Sequence, residues 1–283
     1  MTATLFVVAT PIGNLQDMSQ RAIATLQNVN LVALEDTRQG MKLWSRFGID
    51  TKMQILNKDN EHKVIAKILD VLEGGHDVAL ISDAGTPLIH DPGSMLVSSV
   101  ESRGFKVSPV PGACALIAAL SVAGFDVSRF VFCGFLPIKK SSIAVELGRL
   151  ESETKPMVFY EAPHRIIKTI TSLIKVFGEK RDAVLARELT KLHEEVVRLS
   201  LGEILAMLID GRIMAKGEMV LIVAGLKEVN AEPDADFTLN LDALLTETLK
   251  YLSVKDAAKM ASSLSGVSQT KVYQACLKLK NKV

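Results

Sequence analysis

Short apolar runs alternate with longer segments of helical period along the first half of the chain. The apolar runs, which predict β-strands, are Leu5–Ala9, Leu31–Leu34, Val78–Ser82 and Val107–Val110. The segments that predict helices are Ser19–Gln27, Lys42–Phe47, Glu61–Glu73, Gly93–Ser102 and Ala113–Ala123. Because parallel strands are joined by helical crossovers, this alternation is typical of an α/β domain.

A second series of apolar runs and helical segments follows. Its predicted strands are Phe130–Phe132, Met157–Tyr160, Ala183–Ala186, Val196–Leu199 and Met219–Val223. Two helices are predicted between them, at Arg165–Phe177 and Gly202–Leu208. Ser200 and Glu203 have the spacing of a capping box at the start of the second helix. We therefore predict two α/β domains, with limits at residues 1–118 and 119–228.

The chain changes character after the last predicted strand. Acidic residues crowd an apolar-poor segment around Pro233 and predict a linker; they are Glu228, Glu232, Asp234 and Asp236. From Leu241 to Val283 the chain carries seven lysines and three acidic residues. Ser253 predicts the start of a helix and Gly266 its end, with another helix following. Residues 229–283 thus have a helix-turn-helix outline, which fits either a nucleic-acid reader or a small helical bundle.

Composition and charge restrict the class of protein. Of the 283 residues 48% are apolar, which excludes a disordered or fibrous chain. The net charge of +1 provides no global field for a polyanion, so any contact with nucleic acid has to come from a local basic patch. No basic residue precedes the first apolar run, and prolines interrupt the longest uncharged stretch at 107–125. We expect a soluble chain without a signal peptide or membrane span.

Cysteine and histidine positions argue against a disulfide framework and a metal site. Cys114, Cys133 and Cys276 are odd in number and far apart in sequence. The five histidines show no H-E-x-x-H spacing. We expect no bound metal and a reducing, cytoplasmic environment.

The loops that follow the first-half strands carry the candidate chemistry. They begin at Thr10, Glu35, Asp83 and Pro111, and three of the four are rich in glycine and proline. Such loops let backbone groups approach a small ligand closely at the carboxyl edge of a parallel sheet. The usual dinucleotide and P-loop glycine motifs are absent from the sequence, so we expect a less common nucleotide-like cofactor. Tight turns without any ligand are the alternative.

Eight runs of residues are recognisable together. They are Val8–Leu15, Glu35–Arg38, Ile81–Pro87, Asp91–Gly93, Pro111–Ala113, Gly134–Pro137, Tyr160–Arg165 and Ala186–Lys191. These runs closely resemble the bacterial enzymes that 2′-O-methylate a cytidine ribose in small-subunit ribosomal RNA. Those enzymes belong to the tetrapyrrole-methylase superfamily, whose members are class III S-adenosyl-L-methionine (SAM) methyltransferases. The resemblance spans about Leu5 to Gly225 in unbroken order, and the tail resembles the family's helical appendage more loosely.

The resemblance implies two α/β domains of the tetrapyrrole-methylase type with SAM in the cleft between them, and a small C-terminal helical appendage. It implies a homodimer that methylates a cytidine of the decoding region, in ribosomal RNA or in the assembled small subunit. Carried over to this chain, the cofactor contacts are Pro11, Ile12, Gly13, Gly85, Thr86, Pro87, Ile89, Cys114, Ala115, Tyr160, Ala186, Gly217 and Glu218. The chain departs from the superfamily at Thr86, where relatives have an acid, and at His90 and Cys114, where relatives usually have serine.

A ribose hydroxyl is far from ionised at neutral pH, so a nearby base or cation is expected to assist its attack on an activated methyl group. The predicted catalytic residues are Arg187, Glu188 and Lys191, which follow an apolar strand. Other polar residues at strand ends, including Glu35, Asp36 and Asp83, are further candidates. An ordinary salt-bridged loop, or for Asp36 a helix cap, is the alternative interpretation.

Local basic groups predict the RNA contacts. The candidates are Arg38, Lys42 and Arg46, which recur every four residues, followed by Lys139, Lys140 and Arg165. A solvated charged face explains each group equally well.

Two other functions stay open from the sequence. One is a SAM methyltransferase that acts on a tetrapyrrole or another small molecule, because one fold hosts several substrates. The other is a non-catalytic, ribosome-associated protein that binds SAM.

Overall fold

The computed structural model describes residues 3–57, 59–226, 244–265 and 267–280. These residues fall into two compact units, Met1–Leu226 and Lys227–Val283, each described by itself below. The predicted acidic linker and Gly266 lie outside the described residues. The mixed α/β content of the first unit and the helical tail confirm the predicted fold class.

The first sheet holds five parallel strands in the order β3-β2-β4-β1-β5. They are β1 Thr4–Val8, β2 Leu31–Leu34, β3 Lys52–Ile55, β4 Val78–Leu80 and β5 Lys106–Val110. Its helices are α1 Gln20–Asn28, α2 Thr37–Phe47, α3 Glu61–Glu73 and α4 Ser94–Ser102. Both faces are covered: Val32 packs with α1 and α2, while its neighbour Ala33 packs with α3 and α4. Strand β3 was not predicted, because it is a partly exposed edge strand without an apolar run.

The second sheet is mixed, in the order β6-β7-β10-β8-β9. Its strands are β6 Val131–Phe135, β7 Met157–Glu161, β8 Asp182–Arg187, β9 Glu195–Ser200 and β10 Met219–Val223. Strands β6 and β7 are parallel, whereas the other three neighbouring pairs are antiparallel, and β10 lies between β7 and β8. The helices α6 Lys140–Arg149, α7 Ile166–Phe177 and α8 Leu201–Ile209 pack on one face. The sequence predicted neither α6 nor the antiparallel pairing.

Helix α5, Ala115–Ser121, covers the other face of the second sheet. It directly follows the first sheet in the chain, yet Leu116 and Leu120 share a buried cluster with Val158 and Val220. The predicted domain limits remain predictions, and the one at residue 118 falls within this helix.

The strand register brings five ends of the second sheet to one edge. Phe135 pairs with Tyr160, next to Glu161, Met219 pairs with both Glu161 and Arg187, and Arg187 also pairs with Glu195 at the start of β9. The loops after β6, β7 and β8 and the loop before β10 therefore start from the same edge, which is the one that carries the site described below.

The tail contains two long helices, α9 Val254–Ser265 and α10 Gln269–Lys280. They pack through a buried cluster that includes Leu245, Ala257, Val272 and Cys276. The predicted cap at Ser253 is present, because its hydroxyl accepts the backbone N–H of Asp256 at 3.2 Å. Within the described residues, none of the helices has the length and apolarity required to cross a bilayer.

The predicted capping box at the start of α8 is also present. The Ser200 hydroxyl accepts the Glu203 N–H at 3.3 Å, and the Glu203 carboxylate accepts the Ser200 N–H at 2.9 Å. We expect Ser200→Ala to lower the free energy of unfolding by about 1 kcal/mol, because it removes one of these two caps. Urea denaturation measures the change. Ser172→Ala, on the surface of α7, is the matched control, and an equal loss there would contradict the capping role.

Candidate cofactor and substrate site

Two backbone hydrogen bonds join the loops that follow β1 and β4. Thr10 N–H donates to the Gly85 carbonyl at 2.8 Å, and Gly85 N–H donates to the Thr10 carbonyl at 3.1 Å. The loop after β5 is tied to the same place, since the Thr86 hydroxyl donates to the Ala113 carbonyl at 3.0 Å. Gly85 has φ +84°, a conformation that glycine adopts readily. The three loops thus form one fixed platform at the carboxyl edge of the first sheet.

A cavity of about 370 Å³ lies between this platform and the edge of the second sheet. Nine predicted cofactor residues line it: Ile12, Gly85, Thr86, Ile89, Cys114, Ala115, Tyr160, Ala186 and Glu218. The predicted residues Pro11, Gly13, Pro87 and Gly217 are next to lining residues in the chain but are not part of the lining themselves. The volume and the mostly apolar walls are typical of a small-molecule site.

Several lining residues were not among the predicted cofactor contacts. They are Asp83, Ala84, His90, Asp91, Phe135, Glu161, Ala162, Pro163, Leu189, Met219 and Val220. Most of them lie within or beside the eight recognised runs, so the signal was present in the sequence. Burial raises the pKa of both Asp83 and Asp91, although hydrogen bonds from Asp36 and Ser82 oppose this. These two carboxyl groups therefore hold a proton more readily than surface carboxylates do.

Strained backbone is concentrated beside the cavity. Among the described residues, the non-glycine positions with positive φ are Leu88, His90, Glu188 and Thr190, with φ between +49° and +74°. Such conformations cost of order 1–3 kcal/mol each and are typical of functional sites.

Three rings from both sheets meet at the cavity wall. His90 contacts Phe135 edge-to-face at 5.0 Å between centroids, and Phe135 contacts Tyr160 in the same way at 5.7 Å. The Tyr160 hydroxyl accepts the Leu116 N–H at 3.2 Å, at the start of α5. Burial raises the pKa of Tyr160 to about 12, so it remains a neutral phenol. The ring cluster connects the loop after β4 to the second sheet.

Two of the three predicted catalytic residues form an ion cluster with Glu218. The Lys191 ammonium donates to Glu188 at 2.8 Å and to Glu218 at 3.1 Å, and Glu188 also accepts the Glu218 N–H at 2.9 Å. The stem of Lys191 lies against Gly13, where an added Cβ would be 2.4 Å from the lysine Cγ. The cluster therefore bridges the first-strand loop and the second sheet.

The cluster has fixed charges. The hydrogen bond from Lys191 lowers the pKa of Glu188. Burial opposes the charge on Lys191, yet hydrogen bonds to Glu188 and Glu218 raise its pKa overall. Both groups are thus ionised over a wide range around neutral pH.

Two predicted site arginines are engaged inside the protein. Arg187, 11% exposed, pairs with Glu195 on the neighbouring strand at 3.0 Å and is not part of the cavity lining. Arg165 donates to the Leu136 carbonyl at 2.6 Å and the Pro137 carbonyl at 3.1 Å. The catalytic role of Arg187 and the RNA-binding role of Arg165 remain predictions. In the structure, each guanidinium is bound to other groups of the protein.

The other predicted RNA contacts are exposed. Arg38, Lys42 and Arg46 lie on the single helix α2, and Lys139 and Lys140 lie at the start of α6. Arg38 is also paired with Asp36, at 2.6 Å. Asp36 caps α2 by accepting the Arg38 N–H at 2.8 Å, which agrees with the capping alternative.

Comparison with known proteins identifies the family. The model of Tetrapyrrole (Corrin/Porphyrin) Methylases matches residues 4–205, and the model of the RsmI C-terminal HTH domain matches residues 234–280. The Ribosomal RNA small subunit methyltransferase I of Pseudomonas aeruginosa is 45% identical over 281 residues, covering 99% of this chain and 98% of that protein. The enzyme of the same name from Escherichia coli O157:H7 is 42% identical, with coverage of 96% and 94%.

Solved structures show the same fold at low sequence identity. A cobalt precorrin-4 methyltransferase has a TM-score of 0.58 and 15% identity, covering 77% of this chain and 94% of that one. Uroporphyrin-III C-methyltransferase from Thermus thermophilus, complexed with S-adenosylhomocysteine, has a TM-score of 0.55 and 14% identity, covering 78% and 97%. The chain belongs to the tetrapyrrole methylase family and, within it, to the ribosomal RNA small subunit methyltransferase I proteins.

Proposed function

We propose that the chain transfers the methyl group of SAM to the ribose 2′-hydroxyl of a cytidine in the decoding region of small-subunit ribosomal RNA. The observation that carries this proposal is the meeting of nine resemblance-derived cofactor residues on one cavity. The chain's membership of the ribosomal RNA small subunit methyltransferase I proteins gives the reaction class and the RNA substrate.

The cavity residues fit SAM. Ile12, Ile89 and Ala115 offer apolar walls for an adenine ring and methylene groups, and Asp83, Asp91 and Glu218 offer carboxyl groups for the ammonium and the ribose hydroxyls. At Gly85 an added Cβ would lie 3.2 Å from Ile12, so glycine keeps the wall open. When bound, SAM supplies a methyl group that is already activated on a sulfonium.

The chain's own residues then act on the attacking hydroxyl. The proton of the attacking hydroxyl passes to solvent water, and we assign to Lys191 the stabilisation of the negative charge that develops on the ribose oxygen as that proton leaves, because its ammonium stays protonated. Glu188 and Glu218 hold that ammonium in place. Arg187, paired with Glu195, positions the loop that carries Glu188 and Lys191.

The exposed cations provide phosphate contacts. Lys42, Arg46, Lys139 and Lys140 are the strongest candidates in the first unit, because Arg165 is engaged internally. The tail adds exposed lysines at 255, 259, 271 and 278, which support a nucleic-acid role for the tail helices.

The proposal also includes assembly and location. A homodimer is supported by the resemblance alone. A cytoplasmic location is supported by the ribosomal substrate of the relatives and by cysteines without the pattern of a disulfide framework.

Methyl-labelled SAM tests the function directly. The purified protein is incubated with assembled small ribosomal subunits, with protein-free ribosomal RNA or with a tetrapyrrole precursor, and labelled RNA is digested to nucleosides. We expect label in 2′-O-methylcytidine. Label only in the tetrapyrrole would contradict the RNA substrate, and SAM binding without label in any arm would favour a non-catalytic role.

Gly85→Ala tests the placement of the cofactor. We expect SAM affinity to fall about tenfold, since a side chain at φ +84° costs roughly 1–2 kcal/mol and displaces the loop. Calorimetric titration with SAM measures the change. Gly104→Ala is the matched control, because Gly104 has φ +78° but no atom within 4 Å of an added Cβ. Equal loss of SAM affinity in both variants would refute the placement.

Lys191→Gln tests the proposed charge stabilisation. We expect kcat to fall about 10²-fold with little change in SAM affinity. The pKa of Lys191 is raised above its ordinary value of 10.5, and the pKa of Glu188 is lowered below its ordinary value of 4.5. Both groups therefore stay charged, and the ion pair intact, at every pH between these two ordinary values. We therefore expect the wild-type rate of methyl transfer to show no rise or fall between pH 6 and 9 that comes from the titration of these groups.

The control variant is Lys175→Gln, which removes an exposed charge at the far end of α7. The opposite outcome is a wild-type rate that changes with pH within that interval, together with a Lys191→Gln rate that does not. It would show that Lys191 accepts the proton as a neutral amine.

A further inference from the structure

Phe135 is an exposed aromatic side chain in the wall of the cavity. It is the last residue of β6 and is 43% exposed, whereas the adjoining Tyr160 is partly buried and uses its hydroxyl to cap α5. A phenyl ring that is open to water in the wall of a binding cavity offers apolar area to a ligand that packs on it.

The backbone before Phe135 is shaped to aim this ring. Strand β6 has a register irregularity between Phe132 and Gly134, and Gly134 has φ +61°. The His90 imidazole lies directly over Gly134, where an added Cβ would be 2.3 Å from the ring. The His90 Nε2 atom accepts the Phe135 N–H at 3.2 Å. Bulges of this kind redirect side chains beside active sites.

The backbone after Phe135 is held as firmly. Arg165 binds the carbonyls of Leu136 and Pro137, and it pairs with Glu161 at 3.4 Å. The Glu161 side chain is fully buried and also accepts the hydroxyl of Thr169. A ring that is fixed in this way loses little conformational entropy when a ligand packs on it.

We propose that Phe135 is the platform on which the target cytosine stacks after it leaves its place in the RNA. This inference rests on the proposed function. Single-stranded RNA bases are recognised by stacking on aromatic side chains, and a nucleotide whose ribose is to be modified has to be held by its base or phosphates. Lys139 and Lys140, exposed four and five residues further along, are placed for the adjoining phosphates.

The test compares Phe135→Ala with Phe135→Tyr in methyl transfer to assembled small subunits. We expect Phe135→Ala to lower kcat/KM for the subunit about tenfold to a hundredfold, mostly through KM, and Phe135→Tyr to restore it to within about twofold. SAM affinity, measured by calorimetry, is expected to stay unchanged in both. Phe130→Ala is the matched control, because Phe130, 36% exposed, directly precedes the first residue of the same strand and is not part of the cavity lining.

Each result other than the expected one contradicts either the role of Phe135 or the proposed function. If Phe135→Ala weakens SAM binding as much as it lowers kcat/KM, Phe135 is a wall of the cofactor site and the platform is wrong. If Phe135→Ala equals wild type, or if Phe135→Tyr fails to rescue, the stacking role is wrong while the proposed function stands. A wild-type protein that labels no cytidine would overturn the proposed function and this inference together.

Discussion

The pair of backbone hydrogen bonds between Thr10 and Gly85 fixes the geometry on which the site depends. It joins two loops that are 75 residues apart in sequence, although their strands, β1 and β4, are neighbours in the sheet. Because the bonds use backbone atoms, side chains of the same loops remain available for other contacts. Ile12 lines the cavity, and the Thr86 hydroxyl binds the loop after β5. A cavity wall built from hydrogen-bonded main chain has few rotamers to order when a ligand arrives.

The second half of the site depends on electrostatics across the cleft. Lys191 packs its stem on Gly13 and places its ammonium between Glu188 and Glu218. The two carboxylates hold the Lys191 ammonium in one position between the first-strand loop and the second sheet. The strained φ at Glu188 is therefore explained by the bonds that this conformation allows.

Local sequence patterns predicted the buried strands, the capping box at Ser200 and the cap at Ser253, because apolar runs and polar pairs of this kind lie within a few adjacent residues. They missed β3 and α6, which are partly exposed and have weak patterns. The site was harder to predict where a side chain's partner comes from another strand. Arg187 has a suitable residue type, but its register places it opposite Glu195. Phe135 lies in one of the recognised runs, but an aromatic residue type alone indicates no role there until the fold places the ring against His90 and Tyr160.

Helix α5 limits how this architecture can be recombined in evolution. The helix follows β5 without an intervening strand, yet it supplies Leu116 and Leu120 to the core of the second sheet and an N–H to Tyr160. If two relatives exchanged the part of the chain that forms the second sheet, the junction would have to lie before Ala115, at the start of α5, rather than after Ser121, at its end. The segment that has to be exchanged together with the second sheet therefore begins inside the loop that also contributes Cys114 to the cavity, so such an exchange also replaces part of the cavity wall.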